Sequence, residues 1–580
     1  MTQTIRGAGA TVLCAVLERL GVRAVFGLPG SETIELFEAL RRSRLRTVLT
    51  TDERAAAFMA NGYFRASGNI AAVTVIGGPG FTNALTGLAE ASHDSAGMIC
   101  LVVGSDRHPQ KKFRLQAIDH QNVAAPLVKS VVRIAAAAEL PQRINEAYAR
   151  AATGEPGPVV VEISSSALTE SAELPGGIPR GMMPNNPEPS GKQAEEAIEQ
   201  LARSARVVLY VGQGAAGAAE QVIRLAESLH CPVMSTCSGR GTIPESHPLS
   251  FHFDFGSGWG GETINNLLHE SDLIIALGCK FTHNGTGGFR LKIPPEKLIH
   301  VDASAEVLGA NYPARLTVRC DVRDFLETLE RYRERLAVRP GGWAPQELET
   351  WRQRLQTEKH DLCRREPVIS AEQSATCAAF FSALRAALPD DSCVVTDAGL
   401  HQTLTRRYFE VRCPRGLIVP TDFQSMGFGI PAAVGAKLAA PERPVVAIVG
   451  DGGFAMSGME LSTIVRERIP LVVVVFNDGK LGSIRLMQFE HTGWEHAVTL
   501  HNPDYAVFAE SLGVSHVLWD PASPGTLADA VRGNETMLIE VPLVDSPEYR
   551  RLRTAARARA AVRRTVGPRW IRRLKRLLGR

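Results

Sequence analysis

No uninterrupted apolar run in the 580 residues approaches the roughly 18 needed to cross a bilayer as a helix, so no transmembrane span is expected. The first 16 residues carry one basic side chain, Arg6, and no long apolar stretch ahead of a small-residue cleavage site. A secretory leader is therefore not expected, and the cytoplasm is the expected compartment. The ten cysteines are scattered, with Cys231 and Cys237 the closest pair. That spacing provides neither a Cys-x-x-Cys zinc site nor a disulfide framework, and it points to reduced, mostly buried thiols.

What is present is ordinary globular composition, 44% apolar and 22% charged. A chain of 580 residues is too long for one core and implies three or four domains, each able to bury a substantial interior. The net charge of +3 hides an asymmetry: residues 550–580 hold twelve arginines and Lys575 without a single acid, leaving an acidic body and a basic tail.

Short β-branched runs at 24–26, 47–51, 71–76 and 99–103 alternate with amphipathic stretches, the pattern of a doubly wound parallel sheet. A Pro/Gly-rich stretch at 175–191 follows. A second series begins with 207–211, 273–277 and 297–301, the first of these strands running into Gly212, Gly214 and Gly217. Charge is dense over 331–365, and 394–396, 444–449, 471–476 and 537–541 give a third series. The expected architecture is α/β, with three doubly wound parallel-sheet domains. Its parts are a domain at 1–170, a linker at 171–190, a middle domain at 191–335, a linker at 336–372, a C-terminal domain at 373–545 and a tail at 546–580.

The densest chemistry lies in the third series. A buried-type strand ends in Gly450-Asp451-Gly452-Gly453, a helical stretch follows to Arg468, Pro470 breaks it, and a second strand ends in Asn477-Asp478-Gly479. A right-handed crossover brings the second strand back parallel to the first, about 4.8 Å away if the two are neighbours. Both carboxylates can then reach one cation at the sheet edge where ligands of open α/β sheets bind, while the glycines allow close approach of phosphate.

Gly450-Asp451-Gly452, a helix, and then Asn477-Asp478 resemble the thiamine-diphosphate fingerprint of the acetohydroxyacid (acetolactate) synthase and pyruvate oxidase superfamily, and the resemblance spans roughly residues 5–545. It implies that the three domains bind the cofactor's pyrimidine (N-terminal), act as the middle domain, and bind its diphosphate (C-terminal). It implies that Asp451, Asp478 and the Lys480 carbonyl hold Mg2+, and that Gly452, Gly453, Gly399 and His401 line the diphosphate of thiamine diphosphate. It implies that Glu53, at the start of a helix where an acid also suits the helix dipole, bonds the cofactor's pyrimidine and starts the catalytic cycle. Thr421-Asp422-Phe423-Gln424-Ser425-Met426-Gly427 resembles the segment whose large apolar residue, here Met426, wedges the cofactor into a bent shape. Gln424 would offer its carbonyl to the cofactor's amino group.

Three places are expected to face substrate: Ser31 in Gly27-Leu28-Pro29-Gly30-Ser31, Gln116, and Met487 where relatives that accept 2-oxobutanoate carry Trp. Ser31 reads equally as part of a plain strand-to-helix turn, and Gln116 as a solvated loop residue. Flavin-binding members carry Phe-Asp-Asp-Arg where this chain has the segment Lys280-Phe281-Thr282-His283-Asn284-Gly285, which lacks the Arg and both acids, so FAD is not expected. Gly212, Gly214 and Gly217, with Asp302 as a ribose contact, leave open a nucleotide site or a merely structural middle domain. No adjacent His-His pair is present, which favours carboligation over simple release of an aldehyde.

The resemblance thus implies decarboxylation of a 2-oxo acid, pyruvate in the first instance, and ligation of the resulting carbanion to a second carbonyl compound. The alternatives are a decarboxylase or lyase that releases an aldehyde, and an inactive scaffold paralogue. It also implies a homodimer or homotetramer. Trp570, Ile571, Leu574, Leu577 and Leu578 share a helical face amid arginines. A membrane surface, an acidic partner, a neighbouring subunit or solvent could each take that basic face, and no nucleic-acid partner is expected.

Overall fold

The computed structural model describes residues 4–104, 111–176, 189–256, 258–336, 341–365 and 371–543. The basic tail and residues 177–188 of the expected first linker lie outside them.

Each of the three series folds into its own parallel sheet. The N-terminal sheet runs Arg46–Leu49, Ala24–Gly27, Ala71–Ile76, Met98–Gly104, Pro158–Ser164 and Ser130–Ile134 in spatial order. The middle sheet runs Val233–Ser235, Val207–Val211, Leu273–Leu277, Leu298–Asp302 and Leu316–Arg319. The C-terminal sheet runs Leu417–Ile418, Cys393–Thr396, Val445–Gly450, Val472–Asn477, Met537–Pro542 and Ser515–Leu518. Central strands such as Val472–Asn477 are Val-rich and buried at nearly every position, as a parallel sheet covered on both faces requires.

Strand order reverses once near the start of each sheet. Chain from the second strand in space leads outward to the edge strand and then returns to the other side. The reversals fall between Ala24–Gly27 and Ala71–Ile76, between Val207–Val211 and Leu273–Leu277, and between Cys393–Thr396 and Val445–Gly450. The crevice beyond the carboxyl ends of two such strands is where an open α/β sheet receives ligands.

Two segments depart from the linker reading. Ser171–Leu174 is a strand paired antiparallel with Ile5–Ala8, its Ala172 and Leu174 buried and its Ser171 and Glu173 exposed. A four-residue alternation is too short to stand out beside the Pro/Gly run that follows. Within 336–372, the charged stretch is a helix, Pro345–Arg365, and Trp343, Leu348, Trp351 and Leu355 join the middle core. Trp343 Nε1 donates to the Val207 carbonyl at 2.9 Å.

The N- and C-terminal domains share one continuous core. Helices Glu53–Ser67 and Gly429–Ala439 carry the contact, and they approach so closely that a Cβ on Gly62 or Gly435 would collide with the Ala432 or Met59 carbonyl. Among the described residues no helix is long and apolar enough to cross a membrane.

Candidate active site

The strands ending at Gly450 and Asn477 are neighbours in parallel register, Gly450 opposite Phe476, so Asp451 and Asp478 leave the sheet side by side. Both line a cleft with Ala398, Gly399, His401, Met426 and Gly452. Asp451 is buried; its Oδ1 accepts from the Gly452 amide at 2.9 Å and its Oδ2 from Asn502 Nδ2, also at 2.9 Å. The same Asn502 nitrogen donates to Asn477 Oδ1 at 2.9 Å, tying the two loops together. Burial raises the Asp451 pKa, and the Asn502 and backbone donors oppose the rise. Asp478 Oδ1 accepts from the Lys480 amide at 3.1 Å.

Facing this pair, Gly399 at φ +145° turns the chain into helix Leu400–Tyr408 and buries His401. A Cβ at Gly450 would sit 2.7 Å from His401 Nδ1, and one at Gly453 would sit 2.6 Å from Asp397 Oδ2. His401 Nε2 has no partner, and burial pulls the imidazole pKa down to about 4, so the ring is neutral at physiological pH. A buried ring nitrogen without a partner, two carboxylates and glycines that leave no room for side chains suit a polar group bearing phosphate oxygens and a divalent cation.

Met426 stands over the opposite wall: its terminal methyl lies 3.1 Å from where a Cβ on Gly452 would be. Its backbone is fixed through the next residue, since the Gly427 amide donates to Asp397 Oδ1 and Oδ2 at 3.1 and 3.0 Å. Asp397 also takes the Ala398 amide at 2.7 Å, and burial raises its pKa to about 6. Gln424 adopts a left-handed φ of +60°, its side-chain amide turned back onto the Pro420 and Thr421 carbonyls.

Glu53 lies elsewhere. It opens helix Glu53–Ser67 behind the cap Asp52, accepts from Asn83 Nδ2 at 3.0 Å, and packs against Gly80. Beside it, Gln116, at φ +57°, fits against Gly78, where a Cβ would meet its carbonyl oxygen at 2.6 Å. Ser31 is exposed in the neighbouring loop. The cleft's lining residues all lie between Ala398 and Leu543, so one chain does not bring Glu53, Ser31 or Gln116 into it. Met487, on the helix Gly482–Thr492 that lends Ser483 and Ile484 to the cleft, is 55% exposed and does not line it.

Several residues of this region escaped sequence reasoning. Asp397 ends a strand in the same manner as Asp451, a signal that was there to read. Asn502 carries no local signal, because its partners lie far along the chain. His120 holds the loop beside Glu53: its Nε2 accepts from the Gly78 amide at 3.1 Å, so Nδ1 carries the proton and donates to Glu162 at 2.9 Å.

In the middle domain Gly212 and Gly214 pack closely on the backbone of Gly278, whereas Gly217 does not. A Cβ on Gly212 would collide with the Gly278 carbonyl, and one on Gly214 would lie 2.9 Å from Gly278 Cα. Lys280, in the segment corresponding to Phe-Asp-Asp-Arg, pairs with Glu155 at 2.5 Å and donates to the His93 carbonyl at 3.2 Å. Asn284 binds Asp422 through its amide at 3.0 Å and the Thr421 carbonyl through Nδ2 at 2.8 Å.

Comparison with known proteins agrees with this division. Residues 8–123 match the N-terminal TPP-binding domain of thiamine pyrophosphate enzymes, residues 194–329 the central domain and residues 397–541 the C-terminal TPP-binding domain. The chain belongs to the thiamine pyrophosphate enzyme family: it is an enzyme, and thiamine diphosphate is its cofactor. Within that family it is 30% identical to a probable acetolactate synthase large subunit of Methanocaldococcus jannaschii, over 93% of this chain and 92% of the relative. It is 31% identical to the acetolactate synthase large subunit of Haemophilus influenzae over 90% and 91% of the two chains. A probable 2-ketoarginine decarboxylase of Pseudomonas aeruginosa is 32% identical over 86% and 87%.

Proposed function

We propose that the protein decarboxylates a 2-oxo acid, pyruvate in the first instance, and ligates the remaining carbanion to a second carbonyl compound, as an acetolactate synthase does. The observation that carries this reading is the cleft in which buried Asp451, Asp478 and the unpartnered Nε2 of His401 converge beneath Met426, in a chain similar throughout to acetolactate synthase large subunits. Bound there, thiamine diphosphate supplies a nucleophilic carbon and an electron sink for the carbanion left by loss of carbon dioxide.

The chain's own groups have distinct tasks in this account. Asp451, Asp478 and the Lys480 carbonyl hold Mg2+, and Asn502 keeps Asp451 aimed at it. Gly399, His401, Gly452 and Gly453 receive the diphosphate. Met426 presses the cofactor into its bent shape, and Gln424 offers its carbonyl to the amino group. Glu53 bonds the pyrimidine and exchanges a proton with it. Ser31, Gln116 and Met487 face the substrates.

Because Glu53 does not line the cleft of its own chain, the reading calls for a homodimer or homotetramer in which Glu53 of one copy serves the cleft of the next. Phe113 and Leu115, 93% and 76% exposed beside Gln116, support that assembly. FAD has no task in it: Lys280 and Asn284 are engaged in bonds between domains.

Purified protein supplied with Mg2+, thiamine diphosphate and pyruvate is expected to release carbon dioxide and form a ligated product visible by mass spectrometry. Glu53→Gln is expected to slow this by about 10²- to 10⁴-fold; full turnover by that variant would refute the assignment of Glu53. A second reading, favoured by the similarity to the probable 2-ketoarginine decarboxylase, is a decarboxylase that releases an aldehyde. Aldehyde as the sole product, across a panel of 2-oxo acids and acceptors, would establish it instead.

A further inference from the structure

The segment 421–427 carries Met426 in the C-terminal domain, yet much of what holds it comes from the other two domains. Asp94 of the N-terminal domain accepts the Thr421 amide at 3.2 Å and the Thr421 hydroxyl at 2.7 Å, while its second oxygen takes Asn61 and Arg65 at 3.0 and 3.1 Å. Asn284 of the middle domain holds Thr421 and Asp422 from the other side. Glu90, in helix Pro79–His93, is fully buried and accepts the amide of Ser425, the residue before Met426, at 2.7 Å. Met426 is thus flanked by two amides, Ser425 and Gly427, each held by a buried carboxyl group, Glu90 from the N-terminal domain and Asp397 from its own.

We propose that Glu90 is a positioning residue for the cofactor: by holding the Ser425 amide across the domain boundary, it sets the direction in which Met426 presses on the bound thiamine diphosphate. The proposal rests on the reading of Met426 as the wedge. Gln424, one residue further back, is in the left-handed region that a non-glycine residue occupies only when its surroundings enforce it, so the turn does not hold its shape unaided. Burial and the neighbouring Asp94 raise the Glu90 pKa to about 8, so the group is neutral at pH 7 and a glutamine matches it in shape and charge.

Two measurements on the full-length protein test this: amide hydrogen exchange across 421–427, and the rate at which the bound cofactor's thiazolium proton exchanges with deuterated water. Glu90→Leu keeps the packing volume and removes the acceptor. It is expected to raise Ser425 amide exchange, and to slow thiazolium exchange, by about tenfold each, the worth of one buried hydrogen bond, with cofactor affinity little changed. Glu90→Gln, whose amide oxygen still accepts, is expected to restore both, which a purely volumetric role would not require. Wild-type behaviour of Glu90→Leu in both measurements overturns the proposal. Met426→Ala separates the two readings. If it exchanges the thiazolium proton at the wild-type rate, the wedge reading falls and the proposal with it. If it slows while Glu90→Leu does not, the proposal alone falls.

Discussion

In the middle domain the loop after Val207–Val211 and the loop after Leu273–Leu277 meet at the point where strand order reverses, and Gly212, Gly214 and Gly278 close that point with backbone packed on backbone. In the C-terminal domain the loops after Cys393–Thr396 and Val445–Gly450 meet at the equivalent point. There the glycines abut His401, Asp397 and Met426 and leave a cleft with an unsatisfied ring nitrogen. The two domains share one architecture and place glycines at one topological position. What separates a ligand site from a packing seam is whether polar groups remain to be satisfied once the glycines have made room.

Substitutions at matching places can break or sharpen this contrast. The largest effect is expected from Asp451→Ala, which removes a buried carboxylate the cation would neutralise. Affinity for thiamine diphosphate in the presence of Mg2+, read by calorimetric titration, should fall on the order of a hundredfold. Next come the paired glycines. Gly212→Ala should cost about 1–3 kcal/mol of stability through overpacking, read by denaturant titration, and leave cofactor affinity alone. Gly450→Ala should do the reverse, weakening cofactor binding as its Cβ displaces His401. Equal losses of affinity in the two variants would erase the distinction.

A smaller effect concerns His401. Its folded pKa of about 4 lies below the ordinary value of 6.5, so between those values the unfolded chain binds more protons than the folded one. The contribution of this residue to the unliganded protein's stability should therefore fall with pH through that window, by at most about 1.4 kcal/mol per pH unit, against the opposite contribution of Asp397, whose pKa is raised to about 6. His401→Gln should remove that contribution, so that in thermal melts the variant gains stability relative to wild type as pH falls from 6.5 to 4. Smallest of all, Lys280→Ala should cost no more than about 1 kcal/mol, because its ion pair with Glu155 is partly exposed.

Much of this contrast was legible in the sequence on one side only. Gly450-Asp451-Gly452 and Asn477-Asp478 declare themselves because strand, helix and strand are local, and β-branched runs mark the strands. Gly212, Gly214 and Gly217 give a similar glycine pattern, yet the packing of Gly212 and Gly214 depends on Gly278, more than sixty residues away, which no local pattern reveals. The same holds for Asn502, Glu90 and the pairing of Ser171–Leu174 with Ile5–Ala8, all of which arise from contacts distant in sequence. Glu53 was legible as a residue, but its separation from the cleft of its own chain follows from how two domains pack and could not be read from spacing.

Titration of thiamine diphosphate into wild type, Asp451→Ala and Gly212→Ala, each with and without Mg2+, tests the central claim most directly. The expected result is one Mg2+-dependent site per chain in wild type and in Gly212→Ala, with affinity collapsed in Asp451→Ala. Binding that ignores Mg2+, or that survives Asp451→Ala and is lost in Gly212→Ala, would place the cofactor in the middle domain and contradict the account.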